Sequence, residues 1–394
     1  MKACGIVAEY NPFHKGHAYQ IEQIKANSDA DVIIAVMSGN FLQRGEPAIV
    51  DKWTRTAMAL SEGIDLVIEL PVIWSVQPAD LFAKGAIELL NSLEINYLSF
   101  GTEAGTTQDF LEGARFLYEK NDEILDAIQK NKDMNMPYAK KLENTILKLN
   151  PKFPLDLNLP NVQLALSYQK ELFKIGKEQK IKTLPIKRIG SAYSEEKLKK
   201  DSTIASATAI RKAIFSDQEV YQYLGNHSYS LIKKNADKKV SWESYFLLLK
   251  YQLILKSKAE LREVYEMTEG LENRLKKHVE ESDSFEELIN KIKTKRYTRT
   301  RLQRLLSYVL LNIKKTDVEK FIHSQSPIRI LGFNQSGRLY LNQIKDELSV
   351  PIIANVNQET KYLLANDIKT GKIYRLGNDL IDKQDFSRKP IIID

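Results

Sequence analysis

A single cysteine, Cys4, in 394 residues excludes an intramolecular disulfide and a cysteine-built zinc site. Cys4 lies in an apolar run and reads as a packed core residue rather than a nucleophile. No hydrophobic stretch approaches the roughly 20 residues that a membrane-spanning helix needs. The N-terminus runs straight into a strand pattern, without the charged-then-apolar signature of a secretory leader. No internal repeat and no low-complexity linker interrupts the chain. These absences set the expectation of a cytoplasmic protein with no membrane partner. Histidine is also scarce, with 5 in all, and two of them fall three residues apart.

That pair sits in Asn11-Pro12-Phe13-His14-Lys15-Gly16-His17, directly after the apolar run Gly5-Ile6-Val7-Ala8. The run reads as a buried parallel strand, and Asn11-Pro12 as the turn that ends it. Gly16-His17 then opens a helix with Ala18, Ile21 and Ile24 on its inner face. A strand, a tight turn and a helix N-terminus form a ready phosphate site. Two histidines there can donate to phosphate oxygens, and nucleotidyl transfer rests on positioning and charge stabilisation. The alternative is that His14 and His17 are only a turn residue and a helix cap. The pattern resembles the H-x-G-H signature of the nucleotidyltransferase superfamily, and its place at the first βα turn fits.

Length suggests two or three domains. Residues 1–215 alternate strand and helix. Further strands are expected at 30–36, 65–70, 97–101 and 181–189, and helices at 53–61 and 81–90. This alternation predicts an α/β fold with a parallel sheet covered on both faces, whose ligands bind beyond the carboxyl ends of the strands; the H-x-G-H resemblance implies that the sheet is of Rossmann-like nucleotidyltransferase type. Residues 105–180 read as helical, lying over the open side of the sheet. Residues 216–324 read as a mostly helical domain. Residues 325–394 read as a small C-terminal α/β segment, with strands at 328–333 and 351–356 around a helix.

The net charge of +7 is a moderate surplus, so its placement matters more than its sum. Seven basic residues and no acid fall between Lys291 and Arg304. The apolar stripe Leu302, Leu305, Leu306, Val309, Leu310 and Ile313 follows, with Arg304 opposite it. Basic charge at a helix N-terminus opposes the macrodipole, so local stability does not account for the run. It reads either as a surface for a phosphate backbone or as a solvated face.

Three further constellations fall at strand ends or helix starts. Ser38 to Ala48 is a loop rich in Gly and polar groups, with Arg44 able to reach phosphate or RNA. With Asp51, Lys52 and Arg55 behind it, the same stretch also reads as a surface turn bearing a solvated ion-pair cluster. Ser99-Phe100-Gly101-Thr102-Glu103 ends a strand, where Gly101 allows close approach of a base or ribose; a plain strand-end glycine is the alternative. The stretch from Asp201 to Arg211 starts a helix. There Ser206, Thr208 and Arg211 form either an anion clamp or a set of helix caps.

With these residues in view, the chain resembles the bacterial tRNA(Met) cytidine acetate ligase family. The resemblance runs from Gly5 through His17, then Ser38 to Ala48, Leu66 to Pro71, Ser99 to Glu103, and Ser206 to Arg211. It covers the whole chain in order and length, though the specific motifs all lie in the first 215 residues. Lys15 stands where the family often shows Asn, and Val162 where it often shows a second Asn beside Asn161.

The resemblance implies activation of acetate with ATP to acetyl-adenylate, then acetylation of the exocyclic amine of the wobble cytidine in elongator tRNA(Met). It implies His14, His17, Ser206, Thr208 and Arg211 as the catalytic set. ATP would lie against Val7, Ala8, Glu9, Tyr10, Asn11, Pro12, Phe13, His14, Lys15, Gly16, His17, Ala18, Tyr19 and Gln20, with Gly101, Asn161, Lys187 and Arg188. The tRNA would meet Arg44, Lys295, Arg296, Arg299, Arg301 and Arg304. Mg²⁺ is expected with the triphosphate, although no protein ligand set for it is legible, and no protein partner can be inferred. A small-molecule adenylyltransferase of the same superfamily is the main alternative. An RNA-binding protein with a dead nucleotide site is the other; the intact histidine and Ser206–Arg211 motifs argue against it.

Overall fold

The computed structural model describes residues 1–131, 136, 138–189, 198 and 202–394. Asp201, which opens the last stretch singled out above, lies outside the described residues. The first elements are β1 (Ala3–Ala8), α1 (Lys15–Asn27), β2 (Val32–Ser38), α2 (Lys52–Ser61), β3 (Leu66–Leu70), α3 (Val72–Ser75), α4 (Ala79–Ser92) and β4 (Tyr97–Thr102). Then come α5 (Thr107–Glu119), α6 (Asn121–Lys130), α7 (Tyr138–Leu149), α8 (Pro160–Lys174), β5 (Lys182–Lys187) and α9 (Ala207–Phe215). The β-rich runs alternate strictly between faces, as the period of two in a strand dictates. Ala3, Val32, Ile34, Val36, Leu98 and Phe100 enter one core with α4, α5 and α8. Cys4, Ile6, Ile33, Ala35 and Met37 enter the other, with Ile21 and Ile24 of α1 and Ile210 of α9.

The sheet order is β5-β4-β1-β2-β3, all parallel. The chain leaves β1 toward β2 and β3, then returns to place β4 on the other side of β1. The crevice between the carboxyl ends of β1 and β4 is therefore the topological switch point, where such sheets hold ligands.

A helical unit follows: α10 (Asn226–Lys234), α11 (Trp242–Leu255), α12 (Lys258–Glu263), α13 (Leu271–Val279), α14 (Phe285–Ile292), α15 (Arg299–Leu311) and α16 (Lys315–Ile322). Its core includes the stripe Leu302, Leu305, Leu306, Val309 and Leu310, together with Phe41, Val72, Ile73 and Val76 from the first unit. The last stretch holds β6 (Ile328–Phe333), α17 (Gln335–Ile344), β7 (Ile352–Ile353), α18 (Ala365–Arg375) and β8 (Ile391–Ile392).

Residues 325–394, read above as a small C-terminal α/β segment, hold strands and helices and join the main sheet. Strand β6 pairs antiparallel with β3 and carries β7 and β8, so the C-terminal stretch continues the same sheet. Edge pairing satisfies the backbone groups that β3 would otherwise leave open.

The solvated reading of Lys52 and Arg55 is overturned. Lys52 is 1% exposed and bonds Glu69 and Asp385, each at 2.8 Å. Arg55 is fully buried and donates to the carbonyls of Glu9, Val50, Ser38 and Gly39. No helix among the described residues is long and apolar enough to cross a membrane.

Candidate active site

The chain leaves β1 through Glu9, Tyr10 and Asn11, and a cis Asn11-Pro12 bond turns it into α1. His14 is the N-cap of α1: its Nδ1 accepts from Gly16 N–H at 3.1 Å. His17 closes the reciprocal contact, its Nδ1 accepting from His14 N–H at 3.2 Å. The two rings stack at 3.8 Å, and Tyr10 and Phe13 flank His17 at 4.9 and 5.3 Å. The capping and ligand readings of these histidines are therefore compatible. With Nδ1 used as acceptor on both, each neutral ring carries its proton on Nε2.

Burial, aided by the positive charge of Arg188 and Arg211, pulls the His14 imidazole down to about 3. Burial and the neighbouring His14 hold His17 well below its usual range. Both rings are thus neutral donors in the free protein rather than acid–base groups. A ¹⁵N-histidine NMR titration is expected to show Nδ1 of both rings unprotonated at pH 5.5, where an ordinary histidine, with a pKa of about 6.5, is mostly protonated. Protonation of either ring between pH 6 and 7 would contradict this.

Ser206 caps α9, its Oγ accepting from Ala209 N–H at 3.1 Å. Arg211, in the second turn of α9, reaches across the cleft. It donates to the Asn11 carbonyl at 3.0 Å and to Thr208 Oγ1 at 3.4 Å, and pairs with Glu46 at 3.2 Å. The two motifs, about 190 residues apart in sequence, thus share one cleft.

The cleft lies at the switch point. Val7, Glu9, Asn11, His14, His17, Gln20, Gly101, Asn161, Arg188, Ser206, Thr208 and Arg211 all line it. A second recess opens beside it on the β5 side, where Gly16, Tyr19, Lys187 and Arg188 are found. Gln20 donates to Ser99 Oγ at 3.2 Å, and Glu103 accepts from Asn161 Nδ2 at 2.6 Å. Position 162 faces the core, which is why Val serves there.

Pro12, Phe13, Lys15 and Ala18 line neither recess. Phe13 is fully buried and Ala18 packs beneath α1. Sequence reasoning missed the far wall: Phe82 of α4, Phe100 of β4, and Leu164, Ala165 and Tyr168 of α8. The last three follow Asn161 at helical spacing, which was the legible signal. It also missed Leu42, Gln43 and Glu46 in the loop it had marked.

Gly45 anchors that loop. It has φ +74°, and its carbonyl accepts from Trp242 Nε1 at 2.8 Å and Ser307 Oγ at 3.1 Å. A Cβ there would run into the Gln303–Arg304 backbone, so α15 packs directly on a wall of the cleft.

The basic run divides accordingly. Lys295 and Arg296 are exposed, and Arg296 and Arg301 lie over the Tyr297 ring at 5.5 and 5.1 Å. Arg299 makes a two-pronged pair with Glu286, so local stability does account for part of the run. Arg304 is a correction to the expected surface set: its side chain is 11% exposed and faces Glu266 at 3.6 Å. Arg44 lines the cleft itself.

The HIGH nucleotidyl transferase family matches residues 1–389 of this chain. The tRNA(Met) cytidine acetate ligase of Limosilactobacillus reuteri is 42% identical over 399 residues, covering 100% of both chains. That of Lysinibacillus sphaericus is 41% identical over 385 residues, covering 95% of this chain and 94% of its own. The chain belongs to the tRNA(Met) cytidine acetate ligase family. A crystal structure of apo TmcAL from Thermotoga maritima superposes with a TM-score of 0.91 at 29% identity, covering all of both chains. A second crystal structure of the Thermotoga protein, bound with alpha-thio ATP, gives 0.89. That relative thus holds a nucleotide on this fold, a parallel sheet of five strands extended by β6, which runs antiparallel to β3, with β7 and β8 beside it.

Proposed function

We propose that this chain activates acetate with ATP to acetyl-adenylate, then acetylates the exocyclic amine of the wobble cytidine of elongator tRNA(Met) to N-acetylcytidine. The observation that carries the reading is the convergence of His14 and His17 with Ser206, Thr208 and Arg211 on one cleft at the switch point. An acetate oxygen attacks the α-phosphorus in line, and pyrophosphate leaves toward those donors. Neutral imidazole N–H groups, an arginine and a helix N-terminus stabilise the growing charge without a covalent intermediate on the protein.

Among the described residues no group of three His, Cys, Asp or Glu side chains is placed to hold a metal. Mg²⁺ would ride on the triphosphate and water, the mode this ion favours. The helical unit supplies the RNA side, and the assignment to the cytoplasm belongs to the same reading. A cofactor adenylyltransferase would leave the helical unit and its exposed basic residues without a task.

The direct test is transfer of label from radioactive acetate to tRNA with ATP and Mg²⁺. Acetylcytidine in tRNA(Met) supports both half-reactions; ATP consumed with no label in RNA points to the narrower enzyme. Arg296→Ala with Arg301→Ala is expected to weaken tRNA binding and lower the slope of log affinity against log salt by roughly 1.5. An unchanged slope in filter binding would make the Tyr297 patch a solvated face only.

A further inference from the structure

The cleft is chemically two-sided. Its α1 and α9 side holds the phosphate donors described above. Its other side, formed by α4, β4 and α8, is mostly apolar: Phe82, Phe100, Leu164, Ala165 and Tyr168. Glu9 stands at the edge of that side. The strand alternation carries it to the face of Val7 rather than of Ala8. Its Oε1 accepts from the Gln43 backbone N–H at 2.8 Å.

The cleft-lining carboxylates are Glu9 and Glu46, and Glu46 is paired with Arg211. Burial pushes the Glu9 carboxyl up, against the Gln43 N–H, which draws it down; of the charges facing it, Glu46 adds to the push while Arg44 and Arg211 oppose it. A carboxylate here opposes the binding of a polyphosphate, since like charges in a desolvated cleft repel. It serves a partner that brings N–H donors. In the two half-reactions acetate and the phosphate chain have none, while the exocyclic amines of adenine and of cytosine each have two, and of these only the cytosine amine must also give up a proton. Glutamate is also a natural reader of that amine, and aromatic side chains such as Phe82, Phe100 and Tyr168 receive a base splayed from a single-stranded loop.

We infer that the α8 side of the cleft is the wobble-cytosine subsite, and that Glu9 accepts a hydrogen bond from the amine and takes its proton during acetyl transfer. The amine nitrogen forms a bond to the acetyl carbonyl carbon. The bond from that carbon to the phosphate oxygen breaks, AMP leaves with the electron pair, and the amine proton passes to the Glu9 carboxylate. The inference rests on the acetyl-transfer reading above.

The two half-reactions separate the outcomes. Acetyl-adenylate formation is followed by hydroxylamine trapping without tRNA, and transfer by label moving from supplied acetyl-adenylate to tRNA(Met). Glu9→Gln keeps the size and the acceptor for Gln43 N–H but cannot take a proton. Its transfer rate is expected to fall about 10²-fold or more, far beyond any loss in adenylate formation. The pH inflection of wild-type transfer is expected to vanish with it. Residual adenylate formation reports that the variant folds. Leu164→Phe, which narrows the apolar side, is expected to raise the KM for tRNA(Met) with the KM for ATP held.

Equal losses in both half-reactions, recovery of Glu9→Gln by added Mg²⁺, or a KM for ATP that rises in Leu164→Phe would each overturn the assignment. They would make Glu9 part of the nucleotide site or the apolar wall the adenine pocket. Wild-type protein that forms no acetylcytidine would instead sink the proposed function itself.

Discussion

His17→Ala is expected to reduce acetyl-adenylate formation by about 10²–10³-fold, the usual effect of removing one donor from a charge-stabilising site. The ring has two tasks. On the proposed function Nε2–H would serve the departing phosphates, and Nδ1 accepts the His14 N–H at 3.2 Å. Alanine removes both, and the orphaned N–H costs stability of about 1 kcal/mol. Asparagine separates the two tasks, since its oxygen can sit near the Nδ1 position and keep the cap, but its side chain stops short of Nε2. His17→Asn is therefore expected to match His17→Ala in rate while melting close to the wild type. Affinity for tRNA should stay within twofold in both, because the basic surface lies on the helical unit. Pyrophosphate release at near the wild-type rate in either variant would remove His17 from the chemistry.

The first βα turn was legible because every signal there is local: an apolar run, Asn-Pro, then Gly at a helix start. The helix start at Ser206 to Arg211 was legible for the same reason, through Ser206, which caps its own helix. What stayed hidden depended on partners distant in sequence. Strand β6 reads as an ordinary buried strand, and nothing in Ile328–Phe333 announces that its neighbour is β3. Lys52 and Arg55 looked solvated because charged residues usually are. Their partners come from β3, from the carbonyls of loop 38–50 and from Asp385, which lies 333 residues away. Arg304 looked exposed on a helical projection, yet α15 lies against Gly45, so that side of the helix is covered. The apolar wall of α8 was missed because hydrophobic residues on a helix are expected to be core. Here the same stripe serves both core and cleft.

Lys52→Met is expected to be among the most destabilising single substitutions in the chain, at about 3–5 kcal/mol. Lys52 lies between Glu69 and Asp385, and Arg329 and Asp367 complete the cluster. Burial pushes the Asp367 carboxyl up to about 7, with Glu69 adding to the push, so at neutral pH this carboxyl is partly protonated. Lys52 and Arg329 are the cations of the cluster, and they face the acids Glu69 and Asp385. Without Lys52, Arg329 alone opposes Glu69 and Asp385 in a dry setting, and uncompensated buried charge is the costly case. The loss would spread, because this cluster fastens the C-terminal stretch to the start of α2. Gln384 accepts from Asn40 Nδ2 at 2.9 Å, and its carbonyl accepts from Trp53 Nε1 at 2.7 Å. Asn40 also opens the loop that walls the cleft. Thermal unfolding of Lys52→Met should begin several degrees lower. Adding Glu69→Gln should restore part of the loss, since the second change removes the charge that the first left unpaired. Simple addition of the two losses would mean that the pair is not energetically coupled and that the tail is held by packing alone.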